Sequence, residues 1–403
     1  MTTTINNEHK KLNVPNLRFP EFQGEWEKKS LGEIGESFIG LTYKPTDVVS
    51  EGGLIVFRSS NIQNGCIDYK DIVRVNKNVK EKLITKKDDL LVCARNGSAR
   101  LIGKNAILYE TDANQTFGAF MMVFRSDKNH FVHQLLNTRR YSSQVSENLG
   151  ARINQITSSD LSSFEFFFPK ENSEMNKIAA LLDLLDERIA TQNKIIEDLK
   201  KLKSAIIEKH YCQAEKQIAC VADLGEPFSV GNLAKDDLTE TGMPCVIYGE
   251  LFTTYGETIS QIESHTYKTE GMILSKKGDL LFPSSTTVDA MSLIAPSVIN
   301  MDGVILGGDM FGIHISPNFN AQYLSYYFNH IAKRQLAKFA KGSTIIHLHY
   351  ADIEKAKLLL PSLEEQNRMA KCLISLDAKI NVENIFFSLL NNQKTSLLRQ
   401  MFI

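Results

Sequence analysis

Hydrophobic residues recur at alternating steps of four and three along two stretches of the chain, a spacing that predicts two long helices. The first stretch places apolar residues at Ile178, Leu182, Leu185, Ile189, Ile196 and Leu199, with Gln192 and Lys203 as polar members. The second places them at Met369, Leu373, Leu376, Ile380, Phe387 and Leu390, with Glu383 and Lys394 as polar members. This spacing is typical of a coiled-coil seam. We call these positions the seam.

The two helical stretches are copies of one another. Leu199 matches Leu390 and Lys203 matches Lys394 without a gap, so the copies lie 191 residues apart. Each predicted helix begins shortly after Pro169 or Pro361 and is too long for one small domain to cover. We therefore predict that the helices pair. Packing of each helix on its own globular region remains the alternative.

The regions before the helices also repeat, more faintly. Residues 55–58 align with 246–249, and 86–91 align with 276–281. Short apolar or alternating runs bounded by Gly, Asn and Asp predict strands and turns, so each region is expected to be mixed α/β (α+β). The residues between these matched points differ. The repeat predicts one scaffold with different side chains at its loop tips.

Composition limits the class of protein. The 403 residues are 43% hydrophobic, with a net charge of −1, which gives no general attraction to polyanions. The six cysteines have no C-x-x-C spacing, so neither a zinc site nor a disulfide framework is predicted, and a reducing cytoplasmic location is expected. No signal-like N-terminus or membrane-spanning run is present, so no membrane partner is expected.

Catalytic motifs are missing from the sequence. It has no Pro-Pro pair of the kind found in amino-methyltransferases, and the segment from Gly97 to Lys104 lacks phosphate-loop spacing. His347 and His349 could ligate a metal, but no third ligand is near in sequence. We predict no catalytic residue and no metal site. An interaction scaffold and an unrecognised nuclease remain rival classes.

The opening motifs suggest a family. Residues 17–22 read Leu-Arg-Phe-Pro-Glu-Phe, 24–27 read Gly-Glu-Trp-Glu, and 31–34 read Leu-Gly-Glu-Ile. Two variable regions follow, and a Leu-Asp-x-(Arg/Lys)-Ile motif occurs in each helix, at 185–189 and 376–380. Over its whole length the chain resembles the specificity subunit of type I restriction-modification systems.

That resemblance implies an architecture. Residues 1–170 and 213–361 would be two tandem target-recognition domains, each reading one half of a bipartite, asymmetric DNA site. Residues 171–212 and 362–403 would be long helices that pair as an antiparallel coiled coil with pseudo-two-fold symmetry. The helix pair would act as a spacer between the half-sites, which in dimeric readers lie about one DNA turn apart.

The resemblance also implies partners. They are double-stranded DNA, two methyltransferase (modification) subunits and restriction/translocase subunits. Methylation of adenine at N6 and ATP-dependent cleavage would be performed by those subunits. S-adenosylmethionine, ATP and Mg would be bound by the partner subunits, with no cofactor on this chain.

Candidate DNA contacts are polar side chains of the loops between matched points, because Arg, Asn, Gln and Ser can distinguish base edges. In the first region they are Arg58, Ser60, Asn61, Gln63, Arg95, Asn96, Arg100, Arg152, Asn154 and Gln155. In the second they are Tyr248, Glu250, Ser284, Ser285, Thr286, Thr287, His347 and His349. Lys104 and Lys276 are predicted phosphate contacts.

A second apolar stripe accompanies the seam of the first helix. It comprises Leu181, Leu184, Ile195 and Leu202, and is partly echoed by Cys372 and Phe386 on the second helix. A helix that is apolar on two strips needs a further partner. We predict that this stripe docks a methyltransferase subunit.

Overall fold

The computed structural model describes residues 13–63, 65–151 and 154–403, and for 150 and 151 it describes the backbone alone. Contacts divide the chain into two compact units. The first unit combines the residues up to Lys194 with Ile385–Ile403, and the second is Ile195–Asn384. Each long helix is thus shared between the units. The division of the sequence at 170, 212 and 361 into recognition domains and spacers stays a prediction.

The first unit is mixed α/β, as the strand and turn pattern predicts. Its strands are β1 (Glu27–Ser30), β2 (Glu36–Ile39), β3 (Val48–Val49), β4 (Leu54–Phe57), β5 (Ile62–Gln63), β6 (Cys66–Ile67), β7 (Val73–Val75), β8 (Leu90–Cys93), β9 (Asn105–Ile107), β10 (Thr116–Phe117), β11 (Met121–Arg125) and β12 (Glu165–Phe168). Its helices are α1 (Leu31–Ile34), α2 (Asn129–Leu135), α3 (Arg139–Ala151), α4 (Ser158–Ser163) and the first half of α5 (Asn172–Gln213).

Two four-stranded sheets organise this unit. One has the order β2-β11-β8-β9 and is antiparallel, and the other has the order β10-β4-β7-β3, in which β10 and β4 are parallel. Strand β1 pairs with β12 immediately before α5. The apolar runs of β8 and β11 are fully buried, which is why they form the centre of their sheet.

The second unit repeats this plan. Its strands are β13 (Gln217–Cys220), β14 (Gly225–Ser229), β15 (Leu238–Thr239), β16 (Met243–Ile247), β17 (Thr258–Ile259), β18 (Ser264–Thr266), β19 (Ile273–Leu274), β20 (Asp279–Pro283), β21 (Ser285–Thr286), β22 (Ser297–Ile299), β23 (Ile305–Gly307), β24 (Met310–Ile315), β25 (Ile346–His347) and β26 (Lys357–Leu360). Its helices are the second half of α5, α6 (Glu250–Thr253), α7 (Ala290–Leu293), α8 (Ala321–His330), α9 (Lys333–Leu336), α10 (Tyr350–Ile353) and the first part of α11 (Leu363–Met401).

The two large sheets of the second unit each have five strands. Their orders are β14-β24-β20-β22-β17 and β15-β18-β16-β23-β19. Strand β13 pairs with β26 as β1 pairs with β12, so the same two-strand ribbon precedes each long helix. The fold class expected from the sequence is confirmed, because both regions combine short strands and helices and both end in a long helix.

The starts of the long helices agree only in part with the sequence. Ser362 precedes α11, and its hydroxyl oxygen accepts a hydrogen bond from the Glu365 backbone N–H at 3.4 Å, as a capping residue should. Asn172 and Ser173, whose residue types are common at helix caps, instead lie inside α5. The chain turns into α5 one residue earlier, at Glu171, whose carbonyl accepts from the Glu174 N–H.

The long helices pair in antiparallel fashion within each unit. In the first, Asp186 contacts Lys394, and Arg188 lies over the ring of Phe386. In the second, Lys203 contacts Asp377, and His210 contacts Glu365. In both units a later residue of α5 meets an earlier residue of α11, as antiparallel helices require.

The apolar seam residues predicted from the sequence are buried or half-buried. Leu182 and Leu373 are fully buried, Ile178, Ile196, Met369, Ile380 and Leu390 are buried, and the remaining apolar members are half-buried. Part of this burial is against the globular regions, since Ile178 and Leu182 share a core with Trp26, Phe131 and Phe166. Leu373 likewise joins the core that contains Tyr326 and Phe328. Pairing and packing on the globular region therefore both occur.

The lysines of the seam have carboxylate partners. Lys394 Nζ lies 2.5 Å from Asp186 Oδ1, and the Gln134 amide donates to Asp186 Oδ2 at 3.0 Å. Lys203 Nζ lies 2.6 Å from Asp377 Oδ1, and the Tyr326 hydroxyl donates to Asp377 Oδ2 at 2.6 Å. The two networks, which we call the lysine networks, use matching positions of the repeat.

Candidate nucleic-acid interface

Three loops of the first unit meet at one edge. The Asn96 amide donates to Ser59 Oγ at 3.0 Å, and the Asn154 amide donates to the Gly97 carbonyl at 3.2 Å. The backbones of Arg95 and Gln155 form an isolated antiparallel β-bridge. Segments far apart in sequence are thereby fixed beside one another. We call Ser59, Arg95, Asn96, Asn154 and Gln155 the first loop cluster.

The Arg95 side chain in this cluster is exposed and packs against an aromatic ring. Its guanidinium carbon lies 5.2 Å from the centre of the Phe120 ring, over the ring face. The Arg95 backbone N–H donates to the Phe120 carbonyl at 3.0 Å, so backbone and side chain are both held by one residue. Phe120 is itself 58% exposed. No pattern in the sequence indicated a role for Phe120.

The other predicted contacts of the first unit are placed differently. Arg58 contacts the carboxylate of Asp71 at 2.8 Å and donates to the Asp71 carbonyl. Asn61 is fully buried, and its amide donates to the carbonyls of Asp68 and Asp71, so we assign it a structural role. Gln63 donates to the Ser60 carbonyl. The exposed residues in this set are Ser60, Gln63 and Arg100, Lys104 is half-buried, and Arg152 lies outside the described residues.

The second unit builds the same bridge with other side chains. Strand β21 pairs with β25, so that Ser285 lies opposite His347 and Thr286 opposite Ile346. The Leu348 N–H donates to the Ser284 carbonyl. His347 occupies the position of the repeat that matches Gln155, so the Ser285–His347 pair corresponds to the Arg95–Gln155 bridge. We call Ser285, Thr286, His347 and His349 the second loop cluster.

The two imidazoles of this cluster lie parallel. The rings of His347 and His349 are 6.1 Å apart with an angle of 16° between their planes. Nowhere in the described parts of the chain do three or more His, Cys, Asp and Glu side chains come together as a metal site would require. The histidines are better suited to hydrogen bonding, since a neutral imidazole offers one donor and one acceptor.

A cleft of about 790 Å³ lies beside the second loop cluster. Its walls include Tyr248, Thr286, Val288, Lys333 and Ile345. Val288 and Ile345 are 74% and 50% exposed, so apolar side chains alternate with polar ones at this edge. Lys333, Val288 and Ile345 were not predicted from the sequence. Their residue types gave no indication that they border a cleft, because valine and isoleucine are common in strand cores and lysine is common in helices.

The remaining predicted residues of the second unit divide by burial. Glu250 is buried, and its carboxylate accepts from the Ile247 N–H and from the Ser264 hydroxyl, so we assign it a structural role. Ser284 is buried beneath the cluster, and Ser285 presents little surface. The exposed members are Tyr248, Thr287, Lys276 and His349, and Thr286 and His347 are half-exposed.

The cysteines near these clusters are not activated. Cys93 lies beneath the first cluster, and burial raises the pKa of its thiol to about 11. Burial likewise raises the pKa of Cys245 in the second unit to about 11. A nucleophilic cysteine needs a lowered pKa, because the thiolate is the reactive form. These two thiols are therefore structural.

The second stripe on the long helices is exposed. Leu184 is 65% exposed, and Leu181, Ile195 and Leu202 are also exposed. On α11 the sequence pointed to Cys372, which is exposed, and to Phe386, which instead is half-buried against Arg188. Four exposed apolar residues of α11 were missed: Ile374, Val382, Ile385 and Leu389. They fall outside the positions that match the first stripe.

Comparison with known proteins identifies the family. The model of the type I restriction modification DNA specificity domain matches the chain twice, at residues 23–201 and 217–385. The chain belongs to this family. Each match contains one loop cluster and reaches into one long helix, so the internal repeat is a repeat of the specificity domain.

Curated relatives carry the same designation. The EcoKI specificity subunit of Escherichia coli K12 is 28% identical over 42% of this chain and 38% of its own length. The StySPI specificity subunit of Salmonella potsdam is 27% identical, and the chain spans 42% of it. The chain therefore matches less than half the length of these two relatives. The MjaVIII specificity subunit of Methanocaldococcus jannaschii is 23% identical over 91% of this chain and 89% of its length.

Solved structures share the fold. The crystal structure of a type I restriction-modification S subunit from M. genitalium matches with a TM-score of 0.63 at 16% identity, covering 97% of this chain and 99% of that one. A chain solved in work on assembly and conformational transition of a type I system matches with a TM-score of 0.51 at 14% identity, covering 93% and 96%. At such identities the likeness concerns the fold alone.

The helices give no sign of a membrane protein. Among the residues that the structure describes, none of the helices combines the length and the apolar character that crossing a bilayer requires.

Proposed function

We propose that this chain is the DNA-recognition subunit of a type I restriction-modification complex and reads a bipartite, asymmetric DNA site. One observation carries the proposal. The same backbone bridge occurs in both units, but it presents Arg95 and Gln155 in the first and Ser285 and His347 in the second. Two copies of one scaffold with different side chains are suited to reading two different half-sites.

The side chains at these bridges have the chemistry of base recognition. Arg and Gln offer paired donors and acceptors to base edges in the major groove, and Thr and apolar groups can contact the thymine methyl group. Positive side chains such as Arg100, Lys104 and Lys333 lie in the same regions and supply phosphate contacts, which position a protein without specifying sequence. The net charge of −1 is compatible with this, because the charge needed is local.

In this proposal the chain has no catalytic role of its own. Two methyltransferase subunits bind S-adenosylmethionine and methylate adenine, and restriction subunits bind ATP and Mg. The chain directs those subunits to their DNA site. The exposed stripe of Leu181, Leu184, Ile195 and Leu202 is the surface we assign to methyltransferase docking.

Methylome sequencing tests the recognition role. A host without adenine methylation would express a type I methyltransferase subunit with or without this chain. We expect a bipartite N6-methyladenine motif that appears only when the chain is present. A complex that copurifies yet methylates no such motif would favour the alternative, a two-domain protein-interaction scaffold spaced by a coiled coil.

Copurification tests the docking surface. Leu184→Asp and Ile195→Asp place charges on exposed positions, so the fold should survive while the methyltransferase subunit is lost from the complex. Lys200→Asp, on an exposed polar position of the same helix, is the matched control. If both variants still copurify with the methyltransferase subunit, docking occurs elsewhere.

A further inference from the structure

Arg95 differs from Arg58 and Arg100, the other predicted arginine contacts among the described residues, in what its guanidinium already binds. The guanidinium of Arg58 is engaged by the carboxylate and carbonyl of Asp71. Arg100 is exposed on a short helical turn, without an aromatic support among its described contacts. Arg95 has the aromatic support and, within the described residues, no carboxylate within ion-pair distance. Its hydrogen-bonding edge is therefore available to a ligand.

The contact with Phe120 orients that edge. A guanidinium that stacks on an aromatic face keeps the N–H groups in its own plane free to bind a ligand. The backbone of Arg95 is fixed at the same time by its hydrogen bond to the Phe120 carbonyl and by its bridge to Gln155. Less side-chain freedom is lost on binding when the side chain is held in advance.

We propose that Arg95 reads a guanine in the half-site bound by the first unit. The inference rests on the proposed DNA-recognition function and deepens it. Guanine presents two neighbouring acceptors, O6 and N7, to the major groove, and a planar pair of N–H donors matches them. Adenine replaces O6 by an amino group, which repels a donor. The pairing thus distinguishes guanine from adenine at one base pair.

The second unit cannot make this contact in the same way. The corresponding bridge position is Ser285, which is only 8% exposed and lies opposite His347. No guanidinium stands at that place. Loss of Arg95 should therefore affect one half-site and leave the other unchanged, which gives the experiment an internal control.

The test uses the complex of the full chain with its methyltransferase subunits and DNA duplexes that carry the methylated motif. Each duplex has one base pair changed, and binding is measured by competition. The wild type should lose about ten- to a hundredfold affinity when the relevant guanine is replaced by adenine. Arg95→Ala should bind both duplexes about equally. Arg95→Gln should prefer adenine, because Gln matches N6 and N7 of that base.

Three further variants separate base reading from other effects. Lys104→Ala removes one positive charge from the same region and should weaken binding to all duplexes alike. Phe120 is a positioning residue in this account. Phe120→Ala should reduce the discrimination between guanine and adenine, and Phe120→Tyr, which keeps the ring face, should restore it.

Three results would overturn the inference. The first is a wild-type motif without a G·C pair in either half. The second is an Arg95→Ala complex that discriminates every base pair as the wild type does. The third is loss of all binding by both Arg95 variants while Lys104→Ala still binds, which would give Arg95 a role in affinity or folding. Absence of any wild-type motif would instead refute the proposed function itself.

Discussion

The two units share their framework and differ at their loop tips. In the first, a seam lysine contacts Asp186, which also accepts from Gln134, and in the second a seam lysine contacts Asp377, which accepts from Tyr326. The bridges of the two units instead carry unrelated side chains. The buried ion-pair geometry is the same in both units, and the exposed side chains differ. This combination agrees with the proposed reading of two different half-sites.

The frameworks are not fully alike. Lys203 has a second carboxylate, Glu257, at 3.1 Å, whereas the described ion pairs of Lys394 include Asp186 alone. The position before Gln134 is the buried His133, and the position before Tyr326 is the buried Ser325. These differences allow the units to be distinguished experimentally.

The largest expected effect tests the shared framework. Leu182 and Leu373 occupy matching seam positions and are both fully buried. Leu182→Ala and Leu373→Ala should each lower the free energy of unfolding by about 2–5 kcal/mol, because each leaves a cavity in a packed core. Urea unfolding would measure this. The control is Leu184→Ala at an exposed position, which we expect within about 0.5 kcal/mol of wild type. A large loss of stability at only one of these two positions would show that they are not equivalent.

Mild acid should separate the units. Burial lowers the pKa of His133 to about 4, so its native form is neutral. As the pH falls from about 6.5 to 4, His133 of the unfolded chain binds a proton that the buried imidazole of the native first unit does not. The free energy of unfolding therefore decreases by up to about 2–3 kcal/mol as the pH falls. Hydrogen exchange resolved by peptide should show the first unit loosening first. His133→Gln, neutral at every pH, should remove the effect.

Other titrating groups act in different pH windows. Hydrogen bonding to Asp183 raises the pKa of His130, so its contribution is complete below about pH 6.5 and is lost as the pH rises through its native value. In the second unit, hydrogen bonding to His330 and the charge of Lys203 outweigh burial and lower the pKa of Glu257 to about 2. That contribution is lost only as the pH falls below about 4.5. Equal loosening of both units between pH 6.5 and 4.5 would contradict the assignment to His133.

The lysine networks offer a smaller contrast. Asp186→Asn removes the carboxylate that pairs with Lys394, whereas after Asp377→Asn the Lys203 ammonium still contacts Glu257. We expect a cost of about 2 kcal/mol for Asp186→Asn and about 1 kcal/mol for Asp377→Asn, since the carboxylates keep partial contact with water. Urea midpoints would rank the two variants. The reverse ranking would show that Glu257 does not compensate.

The smallest effects concern the tips. Gln155→His and His347→Gln exchange the side chains at matching bridge positions. Each should change base preference by about tenfold, and only in its own half-site, because a single base contact is worth about 1–3 kcal/mol. The methylated motif of each variant gives the measurement. A change in both half-sites after one exchange would show that the clusters do not read independently.

Several features could be predicted because they depend on periodic or repeated sequence. The four-three spacing of apolar residues predicted the two long helices, and the ribbons β1–β12 and β13–β26 end immediately before Pro169 and Pro361. The partners of Lys203 and Lys394 were missed, although Asp186 and Asp377 belong to the motif that indicated the family. A contact between antiparallel helices joins residues of different copies, and an alignment of the copies does not display it.

The recognition loops were predicted less well. Asn61, Glu250 and Ser284 were chosen because their side chains are polar and lie between matched points, yet burial directs them to the protein backbone or to neighbouring side chains. Phe120 was overlooked because an aromatic residue beside an apolar strand is normally part of a core. Which face of a loop meets solvent depends on the packing beneath it, and loop sequence does not encode that locally.

The duplication, the two long helices, the mixed α/β class and the family can be recognised from the sequence, because each leaves a periodic or repeated trace along the chain. Which side chains stand together depends on the folded structure. The Arg95–Gln155 and Ser285–His347 bridges join segments about 60 residues apart, and closing such loops depends on the cores below them. The side chains that each loop cluster presents are therefore set by packing, although every one of them is present in the sequence.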